Sequence, residues 1–295
     1  MEPRHILWAV LVAAIWGVNF TVIRLGLDDF PPILLNALRF GLAGGLFAWF
    51  IPRPQIPLIN IIAVGLMLGV AKFTLLFIGM DAGMPAGLSS LVLQSQAFFT
   101  VLFAAAFLAE RPKAVQLTGM AVAFAGLGVI ALDLGQDTVA QAFAIVLAAA
   151  ACWGVANILI KRSGAHDMLG LMVWASLAAA PPLFALSWLF EGPERIAASL
   201  DVLSLKGVGA VAYLAFAATL VGFGLWGRLL KLYPAGLVAP FSLLVPVFGL
   251  SSAALVLGET LTPLKVAGAA LVIVGLAINA GLLKKLMRTA KSSAD

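Results

Sequence analysis

The sequence predicts an all-α integral membrane protein of about ten transmembrane helices, arranged as two similar halves. Hydrophobic residues make up 63% of the 295 residues, charged residues only 11%, and the mean hydropathy is +1.10. A water-soluble core cannot bury that share of apolar surface. Apolar runs bounded by proline, glycine or charge recur along the whole chain. The bilayer is therefore the solvent for this fold, and no stretch is left over for a large soluble domain.

The first half of the chain holds five predicted helices separated by short polar breaks. The opening apolar run is too long for a signal peptide and lacks a small-residue cleavage site, so we predict that it is the first span. Prolines precede the second and third runs, where a missing N–H costs a helix little, and charged residues follow the third and fourth. The predicted spans of this half are residues 5–26, 32–51, 58–80, 84–108 and 114–132.

The second half of the chain follows the same plan. The basic pair Lys161 and Arg162 ends the sixth run, and proline, glycine and charge separate the seventh run from the eighth. The ninth run contains Pro240 and Pro246, whose missing N–H groups and bulky rings predict a bend in that helix. The predicted spans of this half are residues 139–160, 168–190, 206–230, 234–257 and 263–283.

The distribution of positive charge predicts the orientation of the chain. Alternate sides of the predicted spans hold 12 and four of the 18 lysine and arginine residues, and the remaining two fall inside spans. Cytoplasmic loops are enriched in lysine and arginine. We therefore predict that both termini are cytoplasmic, which requires an even number of spans. The 12 residues are Arg4, Arg53, Arg111, Lys113, Lys161, Arg162, Arg228, Lys231, Lys284, Lys285, Arg288 and Lys291.

The two halves repeat each other in sequence. A shift of 149 residues maps residues 85–88 onto residues 234–237, both reading PAGL, and a shift of 137 maps Trp16 onto Trp153. Five spans in each half make the second half enter the membrane in the opposite sense, which predicts an inverted repeat. Two such halves can exchange inward-open and outward-open states; duplication without this exchange is the alternative. The predicted units are residues 5–133, residues 138–283 and a basic cytoplasmic tail at residues 284–295.

Two basic side chains fall inside predicted spans. A charge in hydrocarbon is costly, so such a residue normally faces the bundle interior or a wet cavity. Arg39 and Lys72 are therefore candidates to hold a substrate carboxylate, and arginine suits a two-point grip. The alternatives for Arg39 are bonds to backbone carbonyls or a nearby acid, or extension to the interface. Because no Asp or Glu lies in the middle of a predicted span, Lys72 is the candidate carrier if protons drive a transport cycle.

Amide, hydroxyl and indole side chains inside the apolar runs are further candidates. Polar groups in hydrocarbon need partners, and either a ligand or a neighbouring helix can supply them. The cluster at residues 94–96 stands out because three successive polar side chains cannot all face lipid. Interhelical hydrogen bonds are the alternative for each residue. The candidate binding residues, besides Arg39 and Lys72, are Trp16, Asn19, Gln94, Ser95, Gln96, Trp153 and Asn157.

Two acidic residues are equivalent under the 149-residue shift. Glu110 follows the fourth predicted span and Glu259 follows the ninth, so the two are expected on opposite sides of the membrane. We predict that each caps the helix that follows it or pairs with a nearby base, Arg111 or Lys265. A role in gating is the alternative.

Several functional classes lack their chemistry in this sequence. Cys152 is the only cysteine, and His5 and His166 lack the spacing of a ligand pair, so neither a metal site nor a cofactor is predicted. No HExxH motif or nucleophile–base set falls at span depth, which argues against an enzyme. The net charge of +5 is scattered between apolar runs, which argues against binding nucleic acid. An internal inverted repeat favours a carrier over a channel.

Four runs carry a family resemblance: residues 16–20 (WGVNF), Pro31 and Pro32 with Arg39 and Phe40, residues 83–88 (GMPAGL) continuing through residues 93–100 (LQSQAFFT), and residues 239–247 (APFSLLVPV). These runs resemble the EamA family of the drug/metabolite transporter superfamily. Within that family they look most like bacterial exporters of cysteine and O-acetylserine. The resemblance spans nearly the whole chain, and the third and fourth runs are its specific part.

The resemblance implies a fold of ten helices in two inverted EamA repeats, in the bacterial inner membrane, with both termini cytoplasmic. It implies movement of a small amino-acid metabolite outward without ATP, so the expected partners are that substrate and the lipid bilayer, with proton coupling left open. Export of aromatic amino acids or drugs, or flipping of a lipid or another metabolite, are the alternatives on the same fold. A closed polar cavity at Lys72, Gln94 and Gln96 would favour an amino acid, whereas a groove open to lipid would favour a lipid.

Overall fold

The computed structural model describes residues 1–132 and 137–279, and every regular element within those ranges is helical. The predicted tail at residues 284–295 and the end of the tenth predicted span lie outside the described residues. The helices are α1 (Pro3–Gly26), α2 (Pro32–Phe47), α3 (Leu58–Asp81), α4 (Ala86–Leu108), α5 (Ala114–Leu132), α6 (Asp137–Ser163), α7 (Met168–Phe190), α8 (Pro193–Asp201), α9 (Leu205–Leu232), α10 (Ala239–Leu257, preceded by the short helix Ala235–Val238) and α11 (Pro263–Asn279).

Eight of the described helices are long and apolar enough to cross a membrane. Two of the predicted spans, α2 and α11, are shorter, with 16 and 17 helical residues. Helix α8 was not predicted, because its nine residues are too few and too polar to register as an apolar run. It forms because Pro193 suits the first helical position and Glu194 places a negative charge at the positive end of the helix dipole.

Consecutive membrane helices run in alternating directions, since hydrogen bonds join their ends into two separate sets. We call the set that includes the amino terminus the amino-terminal face and the other set the opposite face. The pairs on the amino-terminal face are His5 with Tyr233, Glu110 with Lys161, and Trp174 with Ile51; those on the opposite face are Asp28 with Lys206, Ile33 with Glu191, and Ala86 with Glu259.

The last helices of the two halves, α5 and α11, pack as a reciprocal pair. A Cβ atom added to Gly119 would lie 2.6 Å from the Gly275 carbonyl oxygen, and one added to Gly126 would lie 2.7 Å from that of Gly268. The 149-residue shift maps Gly119 onto Gly268 and Gly126 onto Gly275, so each contact exchanges equivalent residues, as in a two-fold interface. Because the earlier residue of α5 meets the later residue of α11, the two equivalent helices are antiparallel. Only glycine allows backbones this close without a hydrophobic drive between helices.

Irregular turns interrupt equivalent helices in the two halves. Helix α3 is π-helical over Gly65–Lys72, and α9 is π-helical over Tyr213–Val221. Helix α4 tightens to a 3₁₀ turn at Leu93–Ser95, and α10 opens with one at Ala239–Leu243. The predicted bend near Pro240 corresponds to this turn. Wide and tight turns free backbone groups and redirect side chains, and in transporters they concentrate around the substrate site.

Candidate functional site

A cavity of about 390 Å³ borders the irregular segments of α3, α4 and α10. This volume is within the usual range for small-molecule sites. Its walls come from both halves of the chain, and eight of the nine predicted binding residues line it. They are Trp16, Asn19, Arg39, Lys72, Gln94, Gln96, Trp153 and Asn157.

The ninth predicted residue, Ser95, does not line this cavity. Its side chain is fully buried, and its hydroxyl donates to the Val92 carbonyl at 2.7 Å. The tight turn at Leu93–Ser95 explains this, because it aims the flanking Gln94 and Gln96 side chains into the cavity and Ser95 back onto its own helix.

Arg39 forms one wall of the cavity and is among the largest buried side chains of the described protein, at 2% exposure. Its Nε and Nη2 atoms donate to the Thr219 hydroxyl at 3.3 and 3.2 Å. The guanidinium carbon lies 4.0 Å from the centre of the Phe73 ring, a cation–π distance. Its Nη1 atom is buried without a partner. Arg39 is therefore an anchored cation with one donor edge unused.

Lys72 lies on the same side of the cavity at the end of the π-helical segment of α3, and is 3% exposed. Its ammonium nitrogen lies 3.2 Å from the centre of the Phe73 ring and 4.5 Å from that of Trp153. No salt bridge within residues 1–132 and 137–279 involves Lys72 or Arg39. Two buried cations thus share one aromatic ring without a protein carboxylate to neutralise them.

A wall of amide side chains completes the polar surface of the cavity. The Asn157 side-chain nitrogen donates to Gln96 Oε1 at 2.7 Å and to the Thr100 hydroxyl at 3.0 Å, which ties α6 to α4. The Gln94 side chain donates to the Ser242 carbonyl at 2.8 Å, which ties α4 to α10. These bonds match the interhelical alternative for Gln94, Gln96 and Asn157, and the same side chains remain at the cavity surface.

Two predicted binding residues of α1, Asn19 and Trp16, also line the cavity. Asn19 is 6% exposed, and its side-chain oxygen has no hydrogen-bond partner. The Trp16 indole donates to the Ala218 carbonyl at 3.0 Å and packs beside Phe223 and Trp226. An unpaired acceptor and an aromatic cluster therefore line the cavity together.

Sequence reasoning missed the residues that shape the rest of the lining. Most are apolar or aromatic and cannot be told apart from lipid-facing residues in an apolar run. Thr219, behind Arg39, had one weak signal, a hydroxyl inside the eighth predicted span. The other lining residues are Phe20, Leu68, Phe73, Leu93, Ile160, Met168, Phe223, Trp226, Leu230, Ala239, Ser242 and Val245.

The cavity reaches toward one face of the molecule. Four lining residues, Ile160, Met168, Leu230 and Ala239, lie within four residues of helix ends at the amino-terminal face. None of its lining residues belongs to the last turn of a described helix at the opposite face. The lining is therefore polarised toward the amino-terminal face.

At the opposite face, Glu259 connects the two halves of the chain. Its two carboxylate oxygens accept hydrogen bonds from the Ala86 and Gly87 N–H groups at 2.6 and 3.0 Å. These groups begin α4, where the helix dipole favours a negative charge. The contact joins the loop after α10 to the start of α4 and so bridges the two halves. The prediction had Glu259 capping the next helix along the chain, whereas the hydrogen bonds seen here cap α4 of the other half.

The equivalent residue at the amino-terminal face is bonded differently. The Glu110 carboxylate accepts from the Lys161 ammonium at 2.5 Å, and both side chains are about half exposed, at 50% and 57%. By the 149-residue shift, its counterpart contact would be with the N–H groups at the start of the short helix Ala235–Val238. The equivalent carboxylates at the two faces of the molecule therefore make different contacts.

Charged loop residues also join the halves at the opposite face. Asp28, between α1 and α2, pairs with Lys206 at 2.5 Å and with Arg24 at 2.9 Å. The hydrogen bond from Lys206, with the nearby charges of both bases, holds the pKa of Asp28 below its ordinary value of 3.8. The neighbouring Asp29 accepts a hydrogen bond from Ser204.

Comparison with known proteins decides the family. The sequence profile of the EamA-like transporter family matches residues 3–132 and again residues 141–281, once in each half. This chain belongs to the EamA-like transporter family. The family predicted from the sequence runs is confirmed, and so is the presence of two repeats. This chain is thus a multi-pass membrane transporter.

Several proteins are similar to this EamA chain along its whole length. One from Salmonella typhimurium, named a probable amino-acid metabolite efflux pump, is 44% identical over 92% of this chain and 93% of its own. A protein of the same name from Escherichia coli is 43% identical over 95% of each chain. A probable terminal-alkyne amino-acid exporter from Streptantibioticus cattleyicolor is 29% identical over 93% of each. One solved crystal structure has the same fold, with a TM-score of 0.64 at 19% identity over 96% of this chain and 99% of its own.

Proposed function

We propose that this protein is a secondary active exporter of small amino-acid metabolites, of the cysteine and O-acetylserine kind, across the bacterial inner membrane. The main observation in support is that two buried basic residues, Arg39 and Lys72, line the cavity without a carboxylate of the described residues to neutralise them. A substrate carboxylate would supply that charge. The names of the relatives from Salmonella and Escherichia coli support an amino-acid metabolite as cargo.

The remaining lining residues fit the rest of an amino acid. The unpaired Asn19 oxygen, with Gln94 and Gln96, offers oxygen atoms to an ammonium or hydroxyl group. Trp16 and Trp153 offer apolar surface to a side chain. The aromatic lining also favours the alternative of an aromatic amino acid, which the experiment below includes.

The membrane arrangement in this proposal is ten spans in two inverted repeats, residues 5–133 and 138–283, with the tail at residues 284–295 and both termini in the cytoplasm. Helices α2 and α11 are short, but α2 packs on α7 and α11 on α5, both long enough to cross. Turn residues after Phe47 lengthen α2, and a bilayer can thin locally around a short helix. The positive charge at the amino-terminal face supports its cytoplasmic placement.

Export by alternating access follows from the unequal faces. The Glu259 contact closes the opposite face while the cavity lining reaches the amino-terminal face. In the other state, Glu110 would leave Lys161 and cap the short helix Ala235–Val238, and Glu259 would release α4. Equivalent contacts of nearly equal energy allow such an exchange.

Transport into everted membrane vesicles tests the function. Labelled cysteine, O-acetylserine and phenylalanine are supplied with and without a pH gradient, and we expect protein-dependent accumulation of cysteine or O-acetylserine. Arg39→Gln should raise KM by about ten- to a hundredfold, because charge-assisted hydrogen bonds contribute about 1.5–3 kcal/mol. Arg195→Gln, on the surface helix α8, is the matched control.

Three outcomes would contradict parts of this proposal. If no labelled amino acid accumulates, the proposal of an amino-acid exporter is wrong. If only phenylalanine accumulates, the aromatic alternative replaces the cysteine-like cargo. If Lys72→Arg retains transport driven by a pH gradient, Lys72 is not the proton carrier.

A further inference from the structure

Thr219 is a buried hydroxyl that contacts the cavity residue Arg39 from behind. It is 1% exposed and lies in the π-helical segment of α9, outside the cavity lining. Arg39 belongs to α2 in the first half of the chain, and Thr219 to the second half. Their contact therefore joins the two halves directly behind the proposed carboxylate-binding group.

The Thr219 hydroxyl is fixed by three hydrogen bonds. It accepts from Nε and Nη2 of Arg39 at 3.3 and 3.2 Å and donates its own proton to the Leu214 carbonyl at 2.8 Å. That carbonyl is five residues earlier, a spacing that suits a π turn. Because the hydroxyl has a single proton and that proton is used, it presents only lone pairs to Arg39.

These bonds determine which edge of the guanidinium stays available. One edge, Nε and Nη2, is held by Thr219, and one face lies 4.0 Å from the Phe73 ring centre. The Nη1 atom alone is buried without an acceptor. A buried unsatisfied donor is unfavourable, and Arg39 lines the cavity, so a substrate acceptor that reaches Nη1 would complete the arrangement.

We propose that Thr219 is a positioning residue that sets the affinity for the substrate carboxylate by aiming the free edge of Arg39 into the cavity. This inference rests on the proposed function, in which Arg39 binds that carboxylate. Since Thr219 and Arg39 belong to different halves, substrate binding is linked to the packing of α9 against α2. A movement of α9 that withdraws Thr219 would release the guanidinium and weaken the hold on the substrate.

The test compares Thr219→Val, which is nearly isosteric but lacks the hydroxyl, with Thr219→Ser, which keeps it. The three labelled amino acids described above are the probes, and KM and Vmax are measured in proteoliposomes. We expect Thr219→Val to raise KM by about three- to tenfold, the range for one buried hydrogen bond, with little change in Vmax. Thr219→Ser should restore KM to within about twofold. Thr118→Val, which removes a hydroxyl bonded to its own helix in α5, is the matched control.

A double-mutant cycle separates positioning from a general structural effect. In an Arg39→Lys background, which keeps the charge but lacks the Nε–Nη2 edge, Thr219→Val should raise KM no further. An additive effect, an unchanged KM in Thr219→Val, or no recovery in Thr219→Ser would each overturn the inference while leaving the exporter intact. Absence of transport by the wild-type protein would instead overturn the proposed function, and this inference with it.

Discussion

At the opposite face Glu259 caps the start of α4 through the Ala86 and Gly87 N–H groups, whereas at the amino-terminal face the equivalent Glu110 pairs with Lys161. The first carboxylate bridges the two halves through α4 and the loop after α10. The second joins the end of α4 to α6 in an exposed ion pair. Equivalent residues in a repeated sequence thus make different contacts in one structure.

In the proposed alternating-access cycle, this difference corresponds to one of two states. The repeat places equivalent carboxylates at the two faces, and in this structure Glu259 caps a helix start whereas Glu110 pairs with Lys161. The capping contact lies at the opposite face, and the cavity lining extends toward the amino-terminal face. The two carboxylates are therefore expected to act in opposite directions on the same equilibrium.

The largest expected effect comes from Glu259→Gln, which keeps the shape but removes the charge that caps α4. Losing charge-assisted bonds at a helix start costs about 1–2 kcal/mol, so the population open at the opposite face should rise about five- to thirtyfold. The measurement uses Ser242→Cys in a Cys152→Ala background, labelled with a membrane-impermeant maleimide in cells with a permeabilised outer membrane. Unchanged labelling would show that Glu259 does not help to close this face.

A smaller change of opposite sign is expected for Glu110→Gln. The exposed pair with Lys161 contributes little to the observed state, but the variant lacks the cap that the alternative state would form. Maleimide labelling at position 242 from the opposite face should fall about threefold, and export should slow with it. Lys161→Gln, which frees Glu110 for the cap, is the matched comparison and should raise labelling by less than about twofold. A change of labelling in the same direction for Glu110→Gln and Glu259→Gln would contradict opposite effects of the two carboxylates on the equilibrium.

The smallest expected effect concerns Asp28, which joins Lys206 across the opposite face. Its pKa is lowered in the folded protein, so its stabilisation is present above the ordinary value of 3.8 and is lost as pH falls through the lower folded value. Asp28→Asn should lower the unfolding free energy by less than about 1 kcal/mol near neutral pH, because the pair is exposed. The difference in melting temperature from wild type, measured in detergent, should vanish at low pH. Glu194→Gln on α8 is the control, and a difference that grows on acidification would contradict this assignment.

Sequence patterns pointed to cavity-lining residues where a residue conflicts with its surroundings. Arg39 and Lys72 could be found because a charge inside an apolar run is costly, and Gln94 and Gln96 because adjacent amides cannot both face lipid. Ser95 was included with them, but the tight turn between α-helical segments sends its hydroxyl to Val92.

Prediction failed where a residue suits either environment. Thr219 donates its hydroxyl proton within its own helix, so its only signal in the sequence was a hydroxyl inside an apolar run, and that signal does not place it behind Arg39. Phe73, which holds both cations, is indistinguishable from a lipid-facing phenylalanine before the helices pack. Helix α8 was missed because its stability comes from its capping residues and its place beside α7, not from an apolar run.

The sequence by itself determined the apolar helices and the repeat and predicts an orientation from charge, because hydropathy and the distribution of lysine and arginine are properties of each segment alone. It also identified the costly groups, Arg39 and Lys72, that must find partners. Only the tertiary structure decided which of the two equivalent carboxylates caps a helix and which edge of Arg39 stays free. Both depend on how the two halves pack against each other. The repeated sequence is compatible with either arrangement of the halves, so it cannot select one.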